Sequence, residues 1–125
     1  MKRLTILLAS LVGLSTASQA RTVGDDRVTI AHDCAKDPNV TINANNDTVT
    51  LAGTCAQVTI NGNQANVHGS SASITVNGNN NTVVADAVDN LAVSGNNNTV
   101  SYKAGIKGDT KVTNPGHNNT VTHAK

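Results

Sequence analysis

Residues 74–83 read Ile-Thr-Val-Asn-Gly-Asn-Asn-Asn-Thr-Val, and this stretch decides the fold. Ile74, Thr75 and Val76 alternate apolar and polar with period two, the pattern of a strand with one buried side. Asn77 to Asn81 follow as a turn. Gly and Asn adopt positive φ at small cost, and Asn side chains bond their own main chain two residues on. Val83 then returns an aliphatic residue to the inward side nine positions after Ile74. The same nine-residue pair occurs at Val40/Val49, Val58/Val67, Leu91/Val100 and Val112/Val121, while successive units start 18, 16, 17 and 21 residues apart. A fixed distance inside the unit with elastic connections between units is what stacked coils require. The expected fold is all-β: a small β-solenoid of about five coils of roughly 17 residues, with two short strands per coil.

The first strands are Val40-Thr41-Ile42, Val58-Thr59-Ile60, Ile74-Thr75-Val76 and Leu91-Ala92-Val93. The second strands centre on Val49, Val67, Val83, Val100 and Val121. Their flanks point outward, which puts Thr48, Thr50, His68, Thr82, Thr99, Thr120 and Thr122 on a solvent face. Stacking would align the turn amides into hydrogen-bonded ladders, a structural reason for 18 asparagines after residue 20. An array of β-hairpins is the alternative, because Asn-Gly between β-branched residues is also a hairpin signal. The turns here are longer than a two-residue hairpin loop, which favours the solenoid.

Working outward, Met1-Lys2-Arg3 is a basic start, Leu4 to Leu14 an apolar run, and Ser18-Gln19-Ala20 a small-x-small ending. These read as a secretory signal peptide over residues 1–20, too short for a membrane span, followed by one domain over 21–125. Export to the periplasm or the exterior follows, with no stable membrane insertion after cleavage. Without Lys2 and Arg3 the chain has seven Lys and Arg against eight Asp, a formal charge of −1. That balance argues against nucleic acid as a partner. Tyr102 is the single aromatic residue, so burial must rest on a thin aliphatic column.

Val28 to Cys34 aligns with Val49 to Cys55, and each cysteine lies six residues after its valine. If the two segments are equivalent strands on adjacent coils, the cysteines sit one inter-strand spacing apart, about 4.8 Å. That distance and an exported chain together point to a Cys34–Cys55 disulfide. A metal site using His32 with Cys34 lacks a second pair at ligand spacing. At the other end, Asn114 stands where the earlier units have Ile or Val, and Pro115 removes a backbone donor. This final unit reads as a cap against further strand addition.

The V-T-[IV]-N-G-N-x-x-x-V unit, with V-T-L-x-G-x-C beside it, resembles a bacterial secreted repeat family of unknown function, the domain-of-unknown-function family 3060. The matching stretches are Val49 to Val67, Ile74 to Val83 and Leu91 to Val100, and the resemblance covers residues 27–121. It implies an exported protein of Asn/Gly/Val repeats with no established activity. The lipid-attachment cysteine of its lipoprotein members is missing, and the family carries no catalytic residues to transfer.

Little else in the chain points to chemistry. The eight acidic residues are scattered, and no Ser lies in a nucleophile-elbow context. Only Asp47 stands in a repeat turn where calcium-binding β-rolls need an Asp each time, and Asn fills the other turns. No catalytic, cofactor or metal residues are therefore expected, nor an enzyme. Lys103, Lys107 and Lys111 surround the longest connection, which makes them a possible contact loop. The function expected is a non-catalytic structural or binding module of the bacterial envelope, presenting an Asn/Thr-rich face to an envelope polymer or protein, as a monomer or edge-to-edge oligomer. The alternatives are a self-assembling curli-like subunit and an ice-binding β-solenoid.

Overall fold

The computed structural model describes residues 20–124, and the expected signal peptide otherwise lies outside that range. Nine strands run in chain order among these described residues: β1 (Ala20–Val23), β2 (Thr29–Asp33), β3 (Asn39–Ile42), β4 (Thr48–Ile60), β5 (Asn66–Val76), β6 (Thr82–Val93), β7 (Thr99–Ala104), β8 (Lys111–Thr113) and β9 (Thr120–His123). Every pairing between them is parallel. β4, β5 and β6 are long because each bends around a corner: its first half is the second strand of one coil, and its second half the first strand of the next. The chain thus winds into a β-solenoid. One side stacks β1, β3, the latter halves of β4 to β6, and β8. The other stacks β2, the leading halves of β4 to β6, β7 and β9.

Among the described residues there are six coils rather than five. The additional one begins at Arg21, which pairs with Val40, and reaches its second strand at Ile30, which pairs with Val49. Arg21 and Ile30 also stand nine residues apart. The charged Arg21 in an otherwise aliphatic row hid this coil from a pattern based on hydrophobicity. The half-coil alignment of Val28 with Val49 is corrected by two residues for the same reason: Ile30, not Val28, lies over Val49.

Inside, the aliphatic column is continuous. Val40, Ile42, Val49, Val58, Ile60, Val67, Ile74, Val76, Val83, Leu91, Val93 and Val100 are all buried. Burying each such side chain is worth about 1.5–3 kcal/mol. The column ends in the sixth coil, where Val112 is 37 % exposed and Val121 half-buried. The expected cap residues Asn114 and Pro115 lie exposed in this coil, and Asn114 accepts a bond from the Asn119 amide at 3.0 Å.

The Asn-rich turns are built by contacts between coils more than within them. Arg27, Asn46, Gln64, Asn80, Asn97 and Asn118 hold φ between 57° and 63°, so a left-handed residue recurs once per coil. The turn glycines serve a different purpose from the one expected. No positive φ is found at Gly62, Gly78, Gly95 or Gly116. A Cβ on any of them would instead overlap the backbone of the coil beneath: Ala44 under Gly62, Gly62 under Gly78, Gly78 under Gly95 and Gly95 under Gly116. They are glycine because the turns stack too closely for a side chain.

Candidate functional site

Two features of the fold offer surfaces or groups with chemistry: the amide and threonine rows of the regular side, and the corner that holds the cysteines. The expected ladders are present. On the surface Asn61 donates to Asn43, and Asn77 to Asn61, each at 2.9 Å. In a second row Asn45 bonds Asp26, Asn63 bonds Asn45, Asn79 bonds Asn63 and Asn96 bonds Asn79. In each case the upper residue's main-chain N–H meets the lower side-chain oxygen at 2.7–3.0 Å. These bonds span 19, 18, 16 and 17 residues, which are the lengths of the successive coils.

A third row is buried. The Asn98 and Asn119 side chains accept the main-chain N–H of Asn81 and Asn98 at 2.8 Å, and the Asn81 side chain accepts that of Ala65 at 2.9 Å. The same amides donate to the carbonyls of Gly62, Gly78 and Gly95 at 2.8–3.0 Å. Each one therefore satisfies a donor and an acceptor that the turn would otherwise bury unpaired. Asp47 and Ala65 continue this row toward the N-terminus without the amide. Asp47 is wholly buried, its Oδ1 accepts the Val28 N–H at 3.0 Å, and its Oδ2 has no partner.

Threonine forms rows on both strand sides. Thr29, Thr48, Asn66, Thr82, Thr99 and Thr120 stack in register, all exposed. Beside them run Ala31, Thr50, His68, Val84, Ser101 and Thr122. The expected outward residues thus belong to two parallel rows. His68 departs from a plain polar ladder: with Lys103 it faces Asp86, at 3.3 and 3.7 Å, in an exposed cluster. Sequence reading passed over an equally regular row on the first-strand side: Thr22, Thr41, Thr59, Thr75, Ala92 and Thr113. Its signal was the repeated aliphatic-Thr-aliphatic triplet itself.

The three lysines do not share one place: Lys107 and Lys111 line the same shallow depression with Asp89 and Asp109, and Lys103 lies apart from it. Lys103 joins the His68–Asp86 cluster, Lys111 lies opposite Asn90 on the first-strand side, and Lys107 sits in the loop between β7 and β8. That loop is anchored by Asp89, whose Oδ1 accepts the N–H groups of Ile106 and Lys107 at 2.6 and 3.0 Å. Tyr102 at its base stacks on His123, with ring centroids 4.8 Å apart.

At the opposite end of the stack Cys34 and Cys55 form a disulfide with a Cα separation of 4.8 Å. The distance matches one inter-strand spacing although the register differs from the expected one. Asp33 pairs with Ala52, and Cys34 N–H bonds the Ala52 carbonyl. The chain then turns through Gly53, at φ 78°, before reaching Cys55. Both cysteines are buried, and so is His32. The His32 Nε2 lies 2.7 Å from the Asp37 carbonyl, which can only accept, so this nitrogen carries the hydrogen. Nδ1 is buried with no partner. The ligand atoms of His32, Cys34 and Cys55 lie within 4.8 Å of one another. Sequence spacing paired His32 with Cys34 alone; the coil stack supplies Cys55.

Residues 61–118, from the third turn into the sixth coil, match the family model described as a protein of unknown function (DUF3060). The stretch it covers, 58 of the 125 residues, is similar to that family. No curated protein and no solved structure gives a match.

Proposed function

We propose that the chain is an exported, non-catalytic structural or binding module of the bacterial envelope, and that its contact surface is the first-strand face. The observation carrying this reading is the Thr22, Thr41, Thr59, Thr75 and Thr113 row, broken only by Ala92 and bordered by the Asn43–Asn61–Asn77 ladder. Hydroxyls and amides repeat there at the inter-strand spacing of about 4.8 Å over roughly 24 Å. Such a rigid, uncharged row suits an extended polymer with its own repeat of hydroxyl or amide groups, since a preorganised surface loses little entropy on binding. The disulfide is compatible with an oxidising compartment, which supports the periplasm or the exterior as its location.

Co-sedimentation of the oxidised chain with insoluble peptidoglycan and with envelope polysaccharide tests this reading. Thr59→Lys with Thr75→Lys is expected to abolish binding, while Thr82→Lys with Thr99→Lys on the opposite face leaves it intact. No sedimentation with either polymer, or equal losses from both variants, would defeat it. A self-assembling subunit is the second reading, favoured by Val112 exposed on the terminal coil and opposed by Pro115 and the disulfide. Fibres detected by a cross-β dye would replace the first reading with this one. Ice binding draws on the same threonine rows; it fails if the chain shows neither thermal hysteresis nor inhibition of recrystallisation.

A further inference from the structure

The geometry points to a second state of the cysteine corner: on reduction, His32, Cys34 and Cys55 form a Cys2His site for a thiophilic d10 cation, Zn(II) or Cu(I). Three observations converge on it. The three ligand atoms already lie within 4.8 Å of one another. All three residues are buried, His32 at 1 %, Cys34 at 2 % and Cys55 at 1 % exposure. The remaining nitrogen of His32 has no partner, an uncommon condition for a buried polar atom.

The histidine is oriented as metal-binding histidines are. Its Nε2–H is held by the Asp37 carbonyl at 2.7 Å, which leaves the Nδ1 lone pair of the neutral ring free for a metal. Asp37 is itself fixed, since its N–H and that of Lys36 bond the Asp33 carbonyl at 3.1 and 3.2 Å. The hydrogen bonds that hold this turn are made by the main chain and involve neither sulfur.

In the oxidised chain the sulfurs are bonded to each other and are not thiolate ligands, so the site is closed. A dithiol reductant opens it by thiol–disulfide exchange. Its two thiols become a disulfide, the S–S bond of Cys34–Cys55 breaks, and both cysteines leave as thiols carrying the two protons. Metal binding then releases those two protons to solvent, and the cation takes two thiolates and Nδ1. Soft sulfur donors with one imidazole select Zn(II) or Cu(I) over hard cations. Charge favours Zn(II), which two thiolates neutralise; a ligand count of three in a buried corner favours Cu(I).

The test uses the full chain, oxidised and reduced, with each metal offered from a chromophoric chelator under anaerobic conditions. The oxidised chain is expected to take up neither ion. The reduced chain is expected to withdraw one equivalent of Zn(II) or Cu(I), and X-ray absorption to show two sulfurs and one nitrogen at the metal. His32→Gln should weaken binding about tenfold or more, since loss of a mere supporting group costs that much. Its titratable thiols would stay at two. Uptake no greater than that of the Cys34→Ser, Cys55→Ser double variant, or uptake unaffected by His32→Gln, overturns the proposal. Should the reduced chain unfold, far-UV circular dichroism becomes the readout. Refolding on one equivalent of either metal supports the site, and no refolding with either overturns it.

Discussion

The two sides of each coil obey different rules. From first strand to second, through the Asn-rich turn, the chain always takes nine residues: Arg21 to Ile30, Val40 to Val49, and so on to Val112 and Val121. From second strand to the next first strand the length changes with every coil. The whole difference between a 16-residue and a 21-residue coil arises there. On the constant side each turn is bonded to the one below through stacked amides and glycines in backbone contact. The variable side holds the disulfide, His32, the His68–Asp86–Lys103 cluster and the lysine loop. A side whose geometry is dictated by stacking has no freedom to vary, whereas a side joined by ordinary corners does.

A matched pair of glycine substitutions breaks this comparison most sharply. Gly78→Ala places a Cβ against the Gly62 carbonyl, where backbone meets backbone and neither can move without opening the ladder. A loss of about 4 kcal/mol is expected, above ordinary overpacking. Gly108→Ala, in the variable loop, meets nothing within 4 Å and should be neutral or slightly stabilising. Urea midpoints of the two variants decide the matter; equal values would remove the distinction between the sides.

Asn98→Ala tests the buried amides next. It strips partners from the Asn81 N–H and the Gly78 carbonyl. At 1–3 kcal/mol for each buried group left unpaired, a loss of about 3 kcal/mol is expected. Amide exchange should quicken at Asn81 before the strands of β4. A change below about 1 kcal/mol would mean that the ladder merely accompanies the stack.

Most of this was legible in the sequence, for a physical reason. Stacked coils expose the inside of each unit to its own copy, so the spacing of Val58/Val67 or Ile74/Val83 carries the fold directly. Arg21 escaped because, among the described residues, no coil lies beneath the first one, and its exposed position tolerates a charge in the aliphatic row. The cysteine register escaped because the bend at Gly53 shifts two residues between strands that otherwise run in step. The turn glycines were identified for the wrong reason: chain-local rules see φ, while the contact that requires Gly78 comes from Gly62, 16 residues away. His32 could not be read as a partner of Cys55 at all, since nothing but the coil length brings them together.

Asp47→Asn probes where the constant side is incomplete. Its Oδ2 is buried without a donor, at a row position where Asn81, Asn98 and Asn119 present an amide to the coil below. An amide here replaces the unpartnered oxygen with an N–H group that, as at Asn81, Asn98 and Asn119, can donate to a carbonyl of the coil below, so a gain of about 1 kcal/mol is expected. A loss on thermal unfolding would show that the carboxylate itself is needed there.

The smallest effect should come from lengthening the variable side. Inserting Gly-Ser between Gly108 and Asp109 extends a loop whose base is fixed by Asp89 on one side and by the Thr110 hydroxyl bond to the Val88 carbonyl, at 2.7 Å, on the other. Loop-closure entropy rises only with the logarithm of length, so the cost should stay below about 0.6 kcal/mol. The same two residues placed between Asn79 and Asn80 would displace the left-handed residue and every amide above it from register. If both insertions unfolded the chain alike, the nine-residue rule would reflect no difference in constraint between the sides. If only the turn insertion does, the corners are where this solenoid can accept new loops.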